Sequence, residues 1–264
     1  TCALSTLRRF NRVTHNLHRM ASREATQPPI YVISLADAQE RRRRFAEHNA
    51  THIEYTFVDA CDGAKLTEED TARVAELKYW SNGAYGCAVS HKRLWRKCIS
   101  LGHPIIIMED DAIVSHAFSA HVATVRTQLP PDWDICLFSL NHNAVLVFYN
   151  STGAKRNTFF DKHQTDRHTY ESFQCQSMGV AVARLHYATG MSAYMISPRG
   201  ARVLLEHCNP IREDMITIPG LMPYVISKHI DTLSATAYPA MNAFITLHPL
   251  VMTPHMSAEY KSST

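Results

Sequence analysis

An α/β fold, with a mainly parallel sheet and helices on both faces, is predicted by three observations. Short β-branched or apolar runs recur at residues 30–35, 54–60, 104–108 and 134–140. Stretches of helical composition separate them, and strands that alternate with helices pair in parallel through crossover connections. At 264 residues, with 45% hydrophobic and 19% charged side chains, the chain is long and apolar enough for one substantial core.

The elements follow in order. Residues 1–29 form a basic extension: Leu4, Leu7, Phe10, Val13, Leu17 and Met20 recur at helical spacing among five arginines and a single acid. Such a helix either lies on an anionic membrane surface or packs on the body of the chain. No long apolar core follows its basic residues, which argues against a secretory leader. Residues 30–264 are expected as a single domain. "IYVISL" (30–35) reads as a buried strand, "AQERRRRFAEH" after it as a helix, and "EYTFVDA" (54–60) as a second strand. The Asp-Gly pair at 62–63 marks a turn, and "TEED" from Thr67 a helix start with acids in its first turn. Helices at about 84–101 and 116–128 flank strands at 104–108 and 134–140. Residues 141–176 lack apolar periodicity and read as a short strand and a long loop. "GMSAYMIS" (190–197) returns to strand character. A helix follows, with Ser197 as N-cap and Pro198 in its first position.

Composition excludes several classes. A net charge of +3, without zinc-finger spacing or interleaved basic and aromatic residues, gives no footprint for nucleic acid. No apolar run reaches the roughly 18 residues that cross a bilayer. Seven scattered cysteines without a C-x-x-C pair fit reduced thiols in a cytoplasmic protein, which could also sit peripherally on the inner face of a membrane.

The chemistry gathers at "PIIIMEDDAIV" (104–114), where Glu109, Asp110 and Asp111 stand together at the end of an apolar strand. Adjacent carboxylates near low-dielectric surroundings cost free energy unless a cation or proton compensates them. In open α/β sheets, ligands sit outside the carboxyl ends of strands. Carboxylates there suit Mg²⁺ or Mn²⁺ shared with phosphate oxygens; a solvated turn is the competing reading. In "AYGCAVSHKRLWRKCISL", Cys87, His91, Leu94, Cys98 and Leu101 fall on one stripe. His91 thus points with the core residues, as a packed histidine or as a site residue.

In order and spacing, "YVISLADAQERRRRF", "YGCAVSHKRLW", "PIIIMEDDAIV", "GMSAYMISPRGARVLL" and "LHPLV" resemble the family 25 glycosyltransferases, the lipooligosaccharide galactosyltransferases and their relatives. The resemblance spans about residues 30–254. It implies a Rossmann-like A-type glycosyltransferase fold, with 30–140 as the nucleotide-sugar half and 141–264 as the acceptor half. It further implies a UDP-sugar donor, most often UDP-galactose, and a divalent ion, usually Mn²⁺. The acceptor would be a glycan or glycolipid.

Carried over residue by residue, Glu109 and Asp111 become metal ligands in the place of the fold's Asp-x-Asp motif, and Asp110 a donor contact. Ser34 and Leu35, Arg41, Ser90 and His91, and Gly190, Ser192 and Tyr194 match donor-site positions. For Arg41 an ion pair with a sheet-end acid such as Asp59 competes. The family's first-strand Asn-Leu-Asp is Ser-Leu-Ala here. An inverting reaction needs a base, for which Asp231 in "KHIDTLSATAY" is first choice, with Asp214 and Glu213 as alternatives. A helix cap or an ion pair with Lys228 is the competing role for Asp231. Two rival functions remain: a nucleotide-sugar hydrolase or nucleotidyltransferase, and a sugar-binding domain without turnover.

Overall fold

A computed structural model of the chain describes residues 27–66, 80–139, 145–159, 167–175, 179–211, 215–216, 225–226 and 229–253. The elements run β1 (Ile30–Ser34), α1 (Gln39–Asn49), β2 (Thr56–Asp59), a 3-10 turn (Gly63–Lys65), α2 (Asn82–Leu101), β3 (Ile105–Glu109), β4 (Ile113–Val114), α3 (Phe118–Gln128) and β5 (Ile135–Leu137). There follow β6 (Val145–Tyr149), β7 (Lys155–Phe159), α4 (Arg167–Gln174), β8 (Val182–Tyr187), β9 (Ala193–Ile196) and α5 (Pro198–His207). The chain continues through β10 (Met215–Ile216), β11 (Val225–Ile226), α6 (Ile230–Ala235), β12 (Ala243–Thr246) and β13 (Val251–Met252).

Nine strands form one sheet in the order β2-β1-β3-β9-β5-β12-β8-β6-β7. It is parallel where strands and helices alternate, across β2-β1-β3, and again between β5 and β12. Elsewhere β9 inserts antiparallel between β3 and β5, and β8, β6 and β7 join antiparallel, so the whole sheet is mixed. The expected parallel character therefore belongs to the strands linked by helical crossovers.

Period-two geometry divides β3 between two cores. Ile105 and Ile107 face the cluster containing Leu94, Trp95 and Cys98 of α2 with Leu204 of α5. Ile106 and Met108 face the opposite cluster, with Phe45 of α1 and Val122 and Val125 of α3. Helices thus cover both faces, and each fully buried Ile or Met contributes about 1.5–3 kcal/mol. Ser197 caps α5 as expected, accepting from the Gly200 amide at 3.0 Å with Pro198 in the first position. Along the stripe of α2, His91, Leu94 and Cys98 are buried, but Leu101 is exposed at the last turn, next to the left-handed Gly102.

Where a short strand and a long loop are expected over 141–176, β6 supplies the strand, and the described residues of the expected loop form β7, which makes a hairpin with it, and α4. The turn carries its own chemistry: Asn150 Oδ1 accepts from the Thr152 and Ala154 amides, and Gly153 takes φ 77°. Being polar, β7 lacks the apolar pattern of a buried strand because it is the last in the sheet. The hairpin edge stands six strand positions from β3, roughly 29 Å at about 4.8 Å per strand. The basic helix expected in 1–29, except for residues 27–29, and the helix expected from Thr67 lie outside the described residues. Among the described residues no helix is long and apolar enough to cross a membrane.

Candidate active site

Strands β1 and β3 are parallel neighbours with Ile33 opposite Glu109, so their carboxyl ends deliver Ser34 and Asp110 side by side. Ser34 Oγ donates to Asp110 Oδ2 at 2.7 Å. Arg41, in the first turn of α1, donates Nε to Asp110 Oδ1 at 2.8 Å and adds a second bond through Nη2. Burial works against the Arg41 charge, but Asp110, Asp111 and Glu109 together hold it more firmly protonated than usual. Asp110 therefore faces the protein and ties β1, α1 and β3 together. The expected alternative pair with Asp59 falls to the next residue, since Arg42 Nη2 meets Asp59 Oδ1 at 2.6 Å.

The turn after β3 is clamped from both sides. Buried Asn49, at the end of α1, donates to the Ala112 carbonyl at 2.8 Å and accepts from the Val114 amide at 2.9 Å. The Glu109 amide donates to Ser192 O at 2.8 Å, and the Ser192 hydroxyl pairs with Ser139 Oγ at 2.7 Å. β13 pairs with β4 and the Leu250 carbonyl accepts from Ser115, so "LHPLV" braces the same turn. This bracing gives Asp111 little freedom. Its Oδ1 is buried without a hydrogen-bond partner, and Oδ2 lies 4.0 Å from Arg41. Burial, reinforced by the charge on Glu109, pushes the Asp111 carboxyl up to about 7.

Helix α2 forms the adjoining wall. Ser90 Oγ donates to the Gly86 carbonyl at 2.6 Å and accepts from the Cys61 amide at 2.8 Å. Ser90 thus pins the Cys61–Ala64 segment to the helix. The approach is so close that a Cβ on Gly86 would stand 2.3 Å from Cys61 O, and one on Gly63 only 1.6 Å from Asn82 O. His91 is wholly buried. Its Nδ1 pairs with Tyr194 Oη at 2.8 Å, its Nε2 with Glu109 Oε1 at 3.4 Å, and Trp95 Nε1 donates to the same Tyr194 oxygen at 2.8 Å. Burial opposes the charge on His91, yet neighbouring Cys87 and Glu109 raise its pKa to about 9. Tyr194 is an interior strut rather than a surface residue.

Asp231, buried in the first turn of α6, accepts the Gly190 amide on Oδ2 at 3.0 Å. Its Oδ1 accepts His229 Nδ1 at 3.0 Å, the Thr232 amide at 2.5 Å and Thr232 Oγ1 at 3.0 Å. Burial alone would raise this carboxyl, but His229 and Thr232 hold it down at about 2. Gly190 takes φ 107°, a conformation that suits glycine. Glu213, Asp214 and Lys228 lie outside the described residues.

A cleft of about 290 Å³ opens at this strand end, lined by Ser34, Leu35, Arg41, Cys87, Glu109 and Asp110 among others. The fold therefore brings together ten of the expected residues, with Ser90, His91, Ser192 and Tyr194 behind the lining and Asp231 reached through His229, which bonds both Asp231 and Cys87. Sequence reasoning missed His229, two residues before Asp231, and the polar role of Cys87, which looked like one more packing residue of the α2 stripe. Asn49 gave no signal beyond its place at a helix end.

A glycosyltransferase 25 family member of Aedes aegypti is 26% identical over 216 residues, covering 76% of this chain and 31% of that protein. The lacto-N-neotetraose biosynthesis glycosyltransferase LgtB of Neisseria meningitidis serogroup B is 32% identical over 111 residues, covering 39% of this chain and 40% of its own. The lipooligosaccharide biosynthesis protein lic2B of Haemophilus influenzae is 36% identical over 90 residues, covering 32% of this chain and 34% of its own. The matches thus span well under half the length of these relatives. The family model described as glycosyltransferase family 25 (LPS biosynthesis protein) matches residues 27–222, a stretch that holds every element from β1 to α5 and all three carboxylates. On that match the chain belongs to glycosyltransferase family 25.

Proposed function

We propose that the protein is a metal-dependent, inverting glycosyltransferase that moves galactose or another hexose from a UDP-sugar to a hydroxyl of a glycan or glycolipid in lipooligosaccharide biosynthesis. The observation that carries this reading is the buried, unpartnered Oδ1 of Asp111, two residues beyond Glu109 of the cleft lining. A carboxyl that burial and the charge on Glu109 push up to about 7, with that second carboxylate two residues away, fits a hard cation such as Mn²⁺ or Mg²⁺. Glu109 and Asp111 would hold it, and when bound it would offset negative charge developing on the departing diphosphate.

The remaining steps belong to the chain's own groups. Arg41, fixed by Asp110, supplies positive charge on the cleft wall for the donor phosphates. The Cys61–Ala64 segment, pinned by Ser90, shapes the nucleotide side. Because Asp231 already accepts four hydrogen bonds, it serves as a positioning residue: it orients His229, whose imidazole Asp231 and Cys87 hold charged well above the usual histidine range, and the neutral fraction of His229, which grows as pH rises, takes the acceptor proton. Residues 141–264 contribute the acceptor side, and the basic segment 1–29 touches the inner face of a membrane.

The test is a screen of UDP-sugars for Mn²⁺-dependent UDP release, with and without a sugar acceptor, followed by mass analysis of the product. A product heavier by one hexose, formed only with acceptor, is expected. UDP release indifferent to acceptor would establish a hydrolase instead, and donor binding without release a binding domain.

A further inference from the structure

Two groups at the cleft, a thiol and an imidazole, have chemistry that a hard cation does not use. Cys87 and His91 lie one turn apart on α2, and Glu109 faces them from the end of β3, with all three ligand atoms within 4.8 Å of one another. We propose that Cys87, His91 and Glu109 form a binding site for a borderline-soft divalent cation of the zinc class, which His229, next to Cys87, joins on a side-chain movement.

Three features support it. The first is spacing. A tetrahedral zinc ion needs nitrogen and oxygen ligands about 3.3 Å apart and sulfur and oxygen about 3.5 Å apart. Here His91 Nε2 stands 3.4 Å from Glu109 Oε1, and Cys87 Sγ stands 4.0 Å from it, so a shift of about 0.5 Å brings the sulfur to the spacing from Glu109 that zinc needs. The second is orientation. Metal-bound histidines are held through their other ring nitrogen. His91 Nδ1 is held by Tyr194 Oη, itself fixed by Trp95, and His229 Nδ1 by Asp231. The other ring nitrogen of His91 faces Glu109 Oε1 with Cys87 beside it, and His229 also stands next to Cys87. The third is access, because Cys87 and Glu109 line the open cleft. A thiolate with imidazoles selects zinc or cobalt over manganese or magnesium. On binding, the protons of Cys87 S–H and of the protonated His91 Nε2 pass to solvent, and the sulfur and nitrogen lone pairs go to the metal; no electron is transferred.

The binding claim stands apart from the transfer reaction. Only its consequence rests on that reading: an ion here would take Glu109 from the hard cation and His229 from the acceptor proton, and so inhibit.

Cobalt(II) is the probe, because its thiolate complexes absorb in the near ultraviolet. Titrating the whole protein with Co²⁺ is expected to give a sulfur-to-cobalt band saturating at one equivalent and bleached by Zn²⁺. The band should be absent in Cys87→Ser and retained in Cys175→Ser, while Tyr194→Phe weakens Co²⁺ affinity by about 10-fold or more. Independently of any variant, Zn²⁺ should protect Cys87 of the unaltered protein from alkylation, read by peptide mass spectrometry. Absence of the band, its survival in Cys87→Ser, or Cys87 alkylated equally with and without Zn²⁺ would each overturn the proposal.

Discussion

Replacing Asp231 by Asn tests whether this carboxylate acts through His229. The change keeps size and shape but puts an NH₂ where one oxygen stood. If the amide oxygen stays with His229 and Thr232, the NH₂ faces the Gly190 amide, donor against donor. Losing one hydrogen bond to a charged group costs about 1.5–3 kcal/mol. The lost ion pair adds little, about 0–1 kcal/mol, since His229 is 42% exposed. A total near 2–3 kcal/mol lowers Tm by roughly 4–12 °C in a chain of this size. Stability should also respond to acid. The Asp231 carboxyl sits at about 2 against an ordinary 3.8, so its stabilisation is complete above about pH 4 and disappears as pH falls through 2. That contribution is about 2.5 kcal/mol, and the variant should lack it. Activity, measured well below the variant's Tm, should fall about 10²–10⁴-fold in kcat while UDP affinity holds. Because the two residues act as one unit, His229→Gln should lose as much, and the double variant scarcely more. Near-normal turnover in Asp231→Asn, or additive losses in the double variant, would refute the assignment.

Other perturbations address the carboxylates and the cleft wall. Asp111→Asn should raise Tm at pH 8 in EDTA, because a carboxyl pushed up from 3.8 to about 7 costs stability that accumulates as pH rises from about 4 to 7 and is complete above that. In the same melting experiment Mn²⁺ should stabilise the unaltered protein and not the variant; equal Mn²⁺ shifts would remove Asp111 from the metal site. Arg41→Ala leaves Asp110 buried with Ser34 as its remaining side-chain partner and should cost about 3 kcal/mol in urea unfolding, whereas Arg41→Lys should cost less but still weaken donor binding. A loss below about 0.5 kcal/mol for Arg41→Ala would show that solvent screens the pair. Gly86→Ala would place a methyl 2.3 Å from the Cys61 carbonyl, forcing the Cys61–Ala64 segment off α2. UDP affinity should drop sharply in a titration while far-ultraviolet circular dichroism stays unchanged, and unchanged affinity would mean that this segment does not touch the nucleotide.

Much of the candidate site was legible in the sequence because its signals are local. β-branched runs, the Ser197-Pro198 helix start and three consecutive carboxylates each report on their own few residues, and the structure places them at β1, β3, β9 and α5. The hairpin at 145–159 escaped because β7 is polar at the sheet edge, where no buried face imposes an alternating pattern.

By itself, then, the sequence determined the α/β class, the strand end where chemistry collects and the family. Only the tertiary structure decided how the carboxylates divide their work. Glu109, Asp110 and Asp111 are neighbours of like charge in the sequence. Asp110 turns inward to Ser34 and Arg41, Asp111 is buried without a partner on Oδ1, and Glu109 leans toward His91 and Cys87. The partners that separate these roles come from β1, α1 and α2, as many as 76 residues away along the chain. The protonation and orientation of a buried carboxylate depend on desolvation and on the donors within a few ångströms. Those distances exist only once the chain has folded.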